Sequence, residues 1–200
     1  HSVLMIRGNR KGPHFSHQKA LESANSDLIF RIDDDCILHP ECLDILKSYF
    51  ISDVGCRIGA VGPLVLSGGK NENEQKCPVG YEEMSGFSGK AFDPKPNLQT
   101  YIGCGNGYDM EVEHLYSSFM YRKECAKGVG GYCLDYSKAG FREETDLTYR
   151  MKLSGWKLLV VPSAKIYHLS APYGGVRDID NEYFKSDDQL YKKRYISFIK

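Results

Sequence analysis

The sequence lacks an excess of charge of either sign, because its 200 residues include 26 Lys or Arg and 26 Asp or Glu. Proteins that bind nucleic acid usually carry a basic excess that pairs with phosphates, so this balance argues against a nucleic-acid partner. The sequence also lacks internal repeats and any apolar run as long as a membrane span. What is present is a 42% hydrophobic chain, and we expect residues 1–200 to form a single domain with a sizeable core.

Cysteine is present but lacks a recognisable pattern. The seven cysteines are an odd number, and no two of them are spaced as C-x-x-C. A disulfide framework usually has an even number of cysteines, and structural zinc sites usually have paired cysteines at short spacing. We therefore expect reduced thiols in a cytoplasmic protein.

Short apolar segments alternate with helical patterns along the chain, which predicts an α/β fold with a mostly parallel sheet and a mixed second half. The predicted strands are residues 2–7, 27–32, 58–66, 111–122, 156–162 and 164–169. The predicted helices are residues 14–24, a stretch from Pro40, a short one in "KECAKGVGG", residues 142–155 and the tail 181–200. Residues 67–109 are rich in loop-forming residues, and long loops in compact domains are often functional.

Three consecutive aspartates follow a predicted strand in "FRIDDDCILHP". Ligands of open α/β sheets bind at the carboxyl ends of strands, where Asp33, Asp34 and Asp35 lie. Carboxylates suit Mg²⁺ or Mn²⁺, and Mg²⁺ usually completes its shell with water and phosphate oxygens. The segment predicts either a metal-bound phosphate ligand or a solvated loop with an N-cap residue for the next helix.

A second acidic group lies in "GFREETDLTYRMKLSGW". Glu143, Glu144 and Asp146 fall in the first turn of a predicted helix, where the helix dipole favours carboxylates. Asp146 is also spaced for an i,i+4 ion pair with Arg150. The alternative interpretation is that one of these acids faces a cleft as a general base.

His168 ends an apolar stretch in "KIYHLSAP", just before a loop. A lone histidine is more often structural than a ligand. A neutral imidazole at this place can nevertheless complete a metal site that already holds carboxylates.

Taken in this order, the motifs resemble glycosyltransferase family 2. The resemblance covers nearly the whole chain and is carried by "NRKGP", "DLIFRIDDDCILHPECLDIL", "MYRKECAKGVGGY", "FREETDLTYRMKLSGWKLLVVPSAKIYHL" and "LYKKRYISFIK". It implies the A-type glycosyltransferase fold, which has a Rossmann-like sheet. It also implies transfer of a sugar from a nucleotide-diphosphate sugar, such as a UDP-sugar, to a hydroxyl acceptor with inversion at the anomeric carbon. The implied acceptors are glycans, polysaccharides or lipid-linked saccharides.

The resemblance assigns roles to particular residues. Asp33 and Asp35 match the family's D-x-D motif, which holds the donor through Mg²⁺ or Mn²⁺, and His168 matches a histidine near the metal and diphosphate. Asp34 and Gly12 complete the implied nucleotide-sugar-binding set. Glu144 matches the catalytic base, which is often Asp in the family, so the assignment stays open among the three acids Glu143, Glu144 and Asp146. If Glu144 is the base, Glu143 lies nearer the acceptor.

One feature departs from the family pattern. Family members begin with a strand and loop that contact the nucleotide base, and no such segment is visible here, so we expect the chain shown to lack it. Two other functions remain open. One is a different metal-dependent enzyme, such as a nucleotidyltransferase. The other is a non-catalytic module that binds a glycan or partner through residues 67–109, where aromatic side chains can stack on sugars.

The predicted C-terminal helix carries aromatic and aliphatic residues roughly along one side, with basic residues nearby. The apolar residues are Phe184, Leu190, Tyr191, Tyr195 and Phe198. Such a helix can lie on an anionic membrane, which would place the protein at the inner face of the membrane beside lipid-linked acceptors. More often it packs on its own domain, and packing is the interpretation we favour.

Overall fold

The structure is a computed structural model that describes residues 4–67, 82–83, 108–169 and 179–195. Five helices and seven strands lie within these residues. The helices are α1 (Pro13–Ser23), α2 (Cys42–Ser52), α3 (Lys123–Gly128), α4 (Glu143–Leu153) and α5 (Asn181–Tyr195). The strands are β1 (Leu28–Arg31), β2 (Cys36–Leu38), β3 (Ile58–Ser67), β4 (Glu82–Glu83), β5 (Met110–Glu111), β6 (Phe119–Arg122) and β7 (Lys157–His168).

All seven strands belong to one mixed sheet. Its main path has the order β1-β6-β3-β7-β2, while β4 pairs with β3 and β5 pairs with β7. The central pair β3–β7 is parallel, and the other five pairs among the described strands are antiparallel. The predicted α/β class is confirmed, but the sheet contains more antiparallel pairing than the alternation of strands and helices indicated.

The two faces of the sheet each bury a separate core. Successive residues of a strand point to opposite faces, so neighbours along the chain enter different cores. One core receives Ala60, Tyr121 and Val160, together with residues of α1 and α4. The other receives Val61, Met120 and Val161, together with residues of α2. Helices therefore cover both faces of the sheet and leave its strand ends available for a site.

Local sequence explains where the helices nearest the strand ends begin. Pro13 occupies the first turn of α1, where its missing N–H would lack a helical partner in any case. The first turn of α4 contains Glu143, Glu144 and Asp146, at the end that the helix dipole makes positive.

The C-terminal helix packs on its own domain, as we favoured. Tyr191 and Tyr195 are buried in a third cluster with Tyr136 and Tyr149. Phe184 packs edge-on against Phe141, with ring centroids 5.6 Å apart. The apolar side of α5 is thus occupied by the protein itself, while Phe198 lies outside the described residues.

Four predicted strands differ from the structure. Residues 4–7 form no strand, and Leu4 and Met5 are exposed, because an apolar pattern alone supplies no neighbouring strand to pair with. Residues 111–122 contribute to β5 and β6, which pair with different strands. The two short strands at 156–169 are one strand, β7, whose register against β3 shifts between Val161 and Lys165. This stretch contains Pro162, a residue that has no N–H to donate.

The loop-rich region 67–109 lies almost wholly outside the described residues, so its predicted role in donor or acceptor binding stays a prediction. Of its aromatic residues the structure describes Tyr108, which is exposed. The five described cysteines are free. No helix within the described ranges is both long and apolar enough to cross a membrane.

Candidate functional site

Four segment ends meet at one place in the structure. Strand β1 ends at Arg31, strand β2 begins at Cys36, strand β7 ends at His168, and helix α4 begins at Glu143. The aspartates 33–35 form the turn between β1 and β2, which is closed by a hydrogen bond from the Cys36 N–H to the carbonyl oxygen of Asp33 at 3.3 Å. Both acidic motifs and the histidine predicted from the sequence therefore belong to one site.

Asp35 and His168 form the centre of a candidate metal site. The Asp35 Oδ1 and His168 Nε2 atoms are 3.2 Å apart, and each side chain is 14% exposed. Cys36 is the antiparallel register partner of His168, and the Leu169 N–H donates to the Asp35 carbonyl oxygen at 2.8 Å. One donor atom from each of Asp35, Cys36 and His168 lies within 4.8 Å of the others. The pairing of β2 with β7 fixes this cluster.

Asp33 and Asp34 have environments that differ from that of Asp35. Asp33 is half-buried, and its Oδ1 lies 3.6 Å from Arg31 Nη2. Burial raises the pKa of Asp33, with a further contribution from Glu143, while Arg31 opposes the shift. Asp34 is exposed to solvent. The turn therefore separates the alternate residues Asp33 and Asp35 from the middle aspartate.

Glu143 is held inside the protein by two cationic or potentially cationic groups. Its side chain is 1% exposed, and its Oε1 accepts a hydrogen bond from Arg31 Nη2 at 2.7 Å. The same oxygen lies 3.0 Å from Nδ1 of His17 in α1. Burial alone would raise the pKa of Glu143, but Arg31 and the His17 hydrogen bond outweigh burial and lower it. Glu143 is consequently an ionised anchor that ties α4 to β1 and α1.

Glu144 has the opposite electrostatic character. Its side chain is half-buried, and burial together with the neighbouring Glu143 charge raises the pKa of Glu144 to about 7. Arg31 opposes this shift without cancelling it. A carboxyl group with a pKa near neutrality can both accept and release a proton at physiological pH, as a general base must.

Asp146, the third acid of the helix, is completely buried and engaged on both oxygens. Its Oδ2 receives a hydrogen bond from Arg150 Nε at 2.8 Å, as the i,i+4 spacing predicted. Its Oδ1 receives one from the Tyr195 hydroxyl at 2.6 Å and lies 3.2 Å from Arg194 Nε. Asp146 thus links α4 to α5 and leaves no carboxylate surface to a substrate.

Gly12 lies at the start of α1 with a φ of 131°, in the region that favours glycine. A Cβ at this position would lie 2.5 Å from Cε1 of His14. A Cβ on Gly140, which is close to the start of α4, would likewise lie 2.5 Å from Cγ of Pro13 and 3.0 Å from Nδ1 of His14. The two glycines allow the beginning of α1 to approach the loop before Glu143. A role of Gly12 in nucleotide-sugar binding stays a prediction.

The loop that leads into α4 is fastened by α5. The carboxylate of Asp187, which is 1% exposed, accepts hydrogen bonds from the Ser137 N–H at 2.7 Å and the Phe141 N–H at 2.9 Å. Asp188 accepts two from the guanidinium of Arg142, each at 3.2 Å. Arg142 directly precedes Glu143 and has a φ of 72°. The position of the acidic turn therefore depends on α5.

Three residues of the site were not predicted from the sequence. Arg31 lies two residues before the first aspartate of the run, and a cation so close to three acids was a signal that could have been used. Cys36 follows the same run. His17 had no local signal, because it meets Glu143 across 126 residues of sequence.

The donor atoms at Asp35 and His168 fit a divalent cation of the Mn²⁺ type. A carboxylate oxygen and an imidazole nitrogen converge there, and both side chains retain some exposure through which further ligands can enter. Asp33 is oriented partly towards Arg31, so the structure supports Asp35 and His168 more directly as a ligand pair.

Comparisons with known proteins bear on the fold. Neither the protein-family models nor the curated proteins gave a match. The structure of GalNAc-T7 with UDP, GalNAc and Mn²⁺ matches with a TM-score of 0.66 and 13% identity, over 96% of this chain and 36% of that one. The structure of S. aureus TarS 1-349 in complex with UDP-GlcNAc matches with a TM-score of 0.65 and 14% identity, over 98% of this chain and 50% of that one.

A third match is the mannosyltransferase PcManGT from Pyrobaculum calidifontis in complex with GDP-Man and Mn²⁺. It has a TM-score of 0.50 and 10% identity, over 82% of this chain and 38% of that one. The chain has the A-type glycosyltransferase fold of these structures, which confirms the fold that the resemblance implied. It spans half or less of the length of the three proteins.

Proposed function

We propose that this chain carries the catalytic site of a metal-dependent glycosyltransferase, which transfers a sugar from a nucleoside-diphosphate sugar to a hydroxyl acceptor. One observation carries the proposal: the Asp35–His168 pair, 3.2 Å apart, lies in the same site as the acidic first turn of α4. The first group suits a cation that binds a diphosphate, and the second contains a carboxyl group suited to proton transfer.

Asp35 and His168 would hold Mn²⁺ or Mg²⁺, with Asp33 close enough to help bind the donor. The bound cation would supply positive charge beside the diphosphate as it leaves. The similar structures support a nucleotide-sugar donor, because their crystals contain UDP, UDP-GlcNAc or GDP-Man. UDP-sugars are accordingly the first donors to test.

Glu144 is the general base in this proposal. Glu143 is an ionised anchor with a lowered pKa, and Asp146 is buried with both oxygens engaged. Glu144 is half-buried and has a pKa raised to about 7. Its carboxylate would take the proton of the acceptor hydroxyl as the acceptor oxygen bonds to the anomeric carbon and the bond to the diphosphate breaks. A single displacement of this kind inverts the anomeric configuration without a covalent enzyme intermediate.

The proposed acceptor class rests on the resemblance to family 2. A glycan, a polysaccharide or a lipid-linked saccharide would provide the hydroxyl group. A lipid-linked acceptor would further require the protein to work at the inner face of a membrane.

The proposal can be tested with a panel of nucleotide sugars, Mn²⁺ or Mg²⁺, and saccharide acceptors. We expect release of a nucleoside diphosphate that depends on the cation, and an NMR spectrum of the product that shows an inverted anomeric centre. Glu144→Gln, which is nearly isosteric, is the matched control and should bind UDP with Mn²⁺ but turn over slowly.

Other products would support other functions. Release of pyrophosphate in place of a nucleoside diphosphate would indicate a nucleotidyltransferase. Binding of saccharides without any turnover of a nucleotide sugar would indicate a binding module. A retained anomeric configuration would contradict the single displacement by an acceptor that Glu144 activates.

A further inference from the structure

Cys36 adds a sulfur atom to a site whose other donors are hard or intermediate. Its Sγ lies within 4.8 Å of the candidate donor atoms of Asp35 and His168. Cys36 and His168 are direct partners across the β2–β7 pair, so their side chains project to the same face. The Ser118 hydroxyl donates a weak hydrogen bond to the sulfur over 4.0 Å. The pairing of β2 with β7 therefore places the sulfur in the site.

A set of one oxygen, one nitrogen and one sulfur donor differs in its metal preference from an oxygen-rich set. Thiolate and imidazole ligands suit Zn²⁺ and similar cations, whereas Mg²⁺ and Mn²⁺ suit oxygen ligands. Zinc sites with three protein ligands and one open position are common, and Asp, Cys and His are among the usual ligands of Zn²⁺. The cation replaces the thiol proton, which is released to solvent.

We propose that Asp35, Cys36 and His168 form a three-ligand site for a thiophilic divalent cation of the Zn²⁺ class. This cation excludes Mn²⁺, because the two ions need the same carboxylate and the same imidazole. The expectation that the Zn²⁺ form binds the donor's diphosphate more weakly than the Mn²⁺ form rests on the proposed function, but the zinc site itself does not.

Coordination numbers give the expected consequence for a diphosphate. An octahedral cation held by Asp35 and His168 keeps four positions for water or phosphate oxygens. A tetrahedral cation held by all three residues keeps one. The Zn²⁺ form is thus expected to bind UDP more weakly than the Mn²⁺ form, although zinc itself binds the protein more tightly.

The test uses the full chain with metal ions alone. Zn²⁺ and Mn²⁺ are titrated by calorimetry into the wild type and Cys36→Ser, and Co²⁺ titrations are followed by absorbance. Since loss of even an indirect partner of a metal ligand costs about 10–100-fold in affinity, we expect Cys36→Ser to weaken Zn²⁺ binding by at least about tenfold. Mn²⁺ binding should change by less than about twofold, because the oxygen and nitrogen ligands remain.

The Co²⁺ titration reports on the sulfur directly. A thiolate-to-cobalt charge-transfer band is expected in the wild type, and it should disappear in Cys36→Ser. Cys56→Ser is the matched control, since Cys56 is an exposed free cysteine away from the site, and it should keep the band. His168→Ala provides a second variant for the case that Cys36→Ser does not fold, and it should lose the band as well.

Each contrary result is informative. Absence of the band in the wild type, or a band that survives Cys36→Ser, would overturn the zinc site. If Cys36→Ser does not fold, a band that survives His168→Ala would overturn it. Equal Zn²⁺ affinity in the wild type and Cys36→Ser would do the same. A positive zinc result together with no turnover of any nucleotide sugar would leave this site standing and refute the proposed function. Turnover without cobalt–thiolate absorption would refute this site alone.

Discussion

At the scale of single residues, three consecutive aspartates have three different environments. Asp33 faces Arg31, Asp34 is exposed, and Asp35 faces His168. Three adjacent carboxylates would repel one another if they pointed the same way, and the turn between β1 and β2 disperses them. Their roles should therefore be separable by substitution.

We predict that Asp35→Ala lowers the Mn²⁺-dependent affinity for UDP by at least about tenfold, because it removes a direct ligand. Asp34→Ala should change this affinity by less than about twofold, since an exposed carboxylate contributes little through solvent-screened interactions. Calorimetry with UDP, with and without Mn²⁺, measures both. An equal loss at both positions would show that the residues do not have separate roles.

Two adjacent glutamates provide a second contrast at this scale. Glu143 and Glu144 differ in the direction of their pKa shifts because one is paired with Arg31 and the other is placed beside an existing negative charge. The printed sequence could show that both lie in the first turn of a helix. It could not show which of them meets Arg31, since that contact joins residues 112 positions apart.

The pKa of Glu144 leads to a prediction about turnover. The base must be deprotonated, so kcat/KM should fall about tenfold per pH unit below pH 7 and level off above it. Glu144→Gln should lower kcat by about 10²- to 10⁴-fold at pH 8 and leave the affinity for UDP with Mn²⁺ unchanged. Near-normal turnover in Glu144→Gln, with a large loss in Glu143→Gln or Asp146→Asn, would move the base to that residue.

At the scale of elements, α5 holds the helix that carries the acids. Asp187 fixes the backbone at Ser137 and Phe141, and Tyr195 reaches Asp146 on the far side of the same turn. The tail helix was predicted from its sequence pattern, and its packing was favoured over membrane contact. Its connection to the acidic turn was not predicted, because no sequence pattern in α5 indicates which residues its buried carboxylates contact.

We predict that Asp187→Asn reduces turnover more than it reduces donor affinity. The amide retains one acceptor oxygen, but its NH₂ group faces one of the backbone or hydroxyl donors that the carboxylate accepted, so the loop before Glu143 loses a hydrogen bond. Loss of a buried hydrogen bond to a charged group also costs about 1.5–3 kcal/mol of stability. Steady-state kinetics, UDP binding and thermal unfolding together separate these effects.

The matched control lies on the same helix. Glu182 forms an exposed i,i+3 pair with Lys185, and Glu182→Gln should change neither turnover nor stability measurably. If Asp187→Asn lowers thermal stability but folded protein keeps full kcat, α5 supports the fold without positioning the acidic turn.

The strands show how far the hydrophobic pattern of the sequence predicts the sheet. The apolar run at residues 58–66 predicted β3 almost to its ends, because a central strand is buried on both faces and reads as a continuous apolar segment. Residues 156–162 and 164–169 were predicted as two strands, yet they form the single strand β7, which has a shift in register against β3. Leu4 and Met5 have strand-forming character but remain exposed. Local propensity predicts that a segment can be a strand, and its neighbours determine whether it is one.

At the scale of the whole molecule, the order of motifs predicted the fold better than any single motif did. The aspartate turn, the acidic helix and the final histidine are far apart in sequence, and the sheet brings them into one site. Antiparallel pairing was underestimated because β6 enters the sheet between β1 and β3, and its direction is set by the topology of the sheet. Nothing in the local pattern of residues 119–122 encodes that direction.

The raised pKa of Glu144 also affects the free energy of unfolding of the whole protein. Its folded-state pKa of about 7 lies above the ordinary value of 4.5, so the folded protein binds this proton more tightly than the unfolded chain does. Stability then falls as the pH rises from about 4.5 to 7, because deprotonation leaves a half-buried charge beside Glu143. Below this window the group is protonated in both states and contributes no pH dependence.

We therefore predict that Glu144→Gln is more stable than the wild type above pH 7 and similar to it below pH 4.5. Each pKa unit corresponds to about 1.4 kcal/mol, so the gain at pH 8 should be on the order of 1 kcal/mol or more. For a chain of this length that is a rise of about 2–4 °C in Tm per kcal/mol. Thermal unfolding in the presence of a chelator, at several pH values, measures the difference between the two proteins. If Glu144 is a catalytic carboxyl group that the fold holds at a cost in stability, Glu144→Gln should gain stability while it loses turnover. A variant less stable than the wild type at pH 8 would instead mean that Glu144 stabilises the start of α4 as an ordinary acid favoured by the helix dipole.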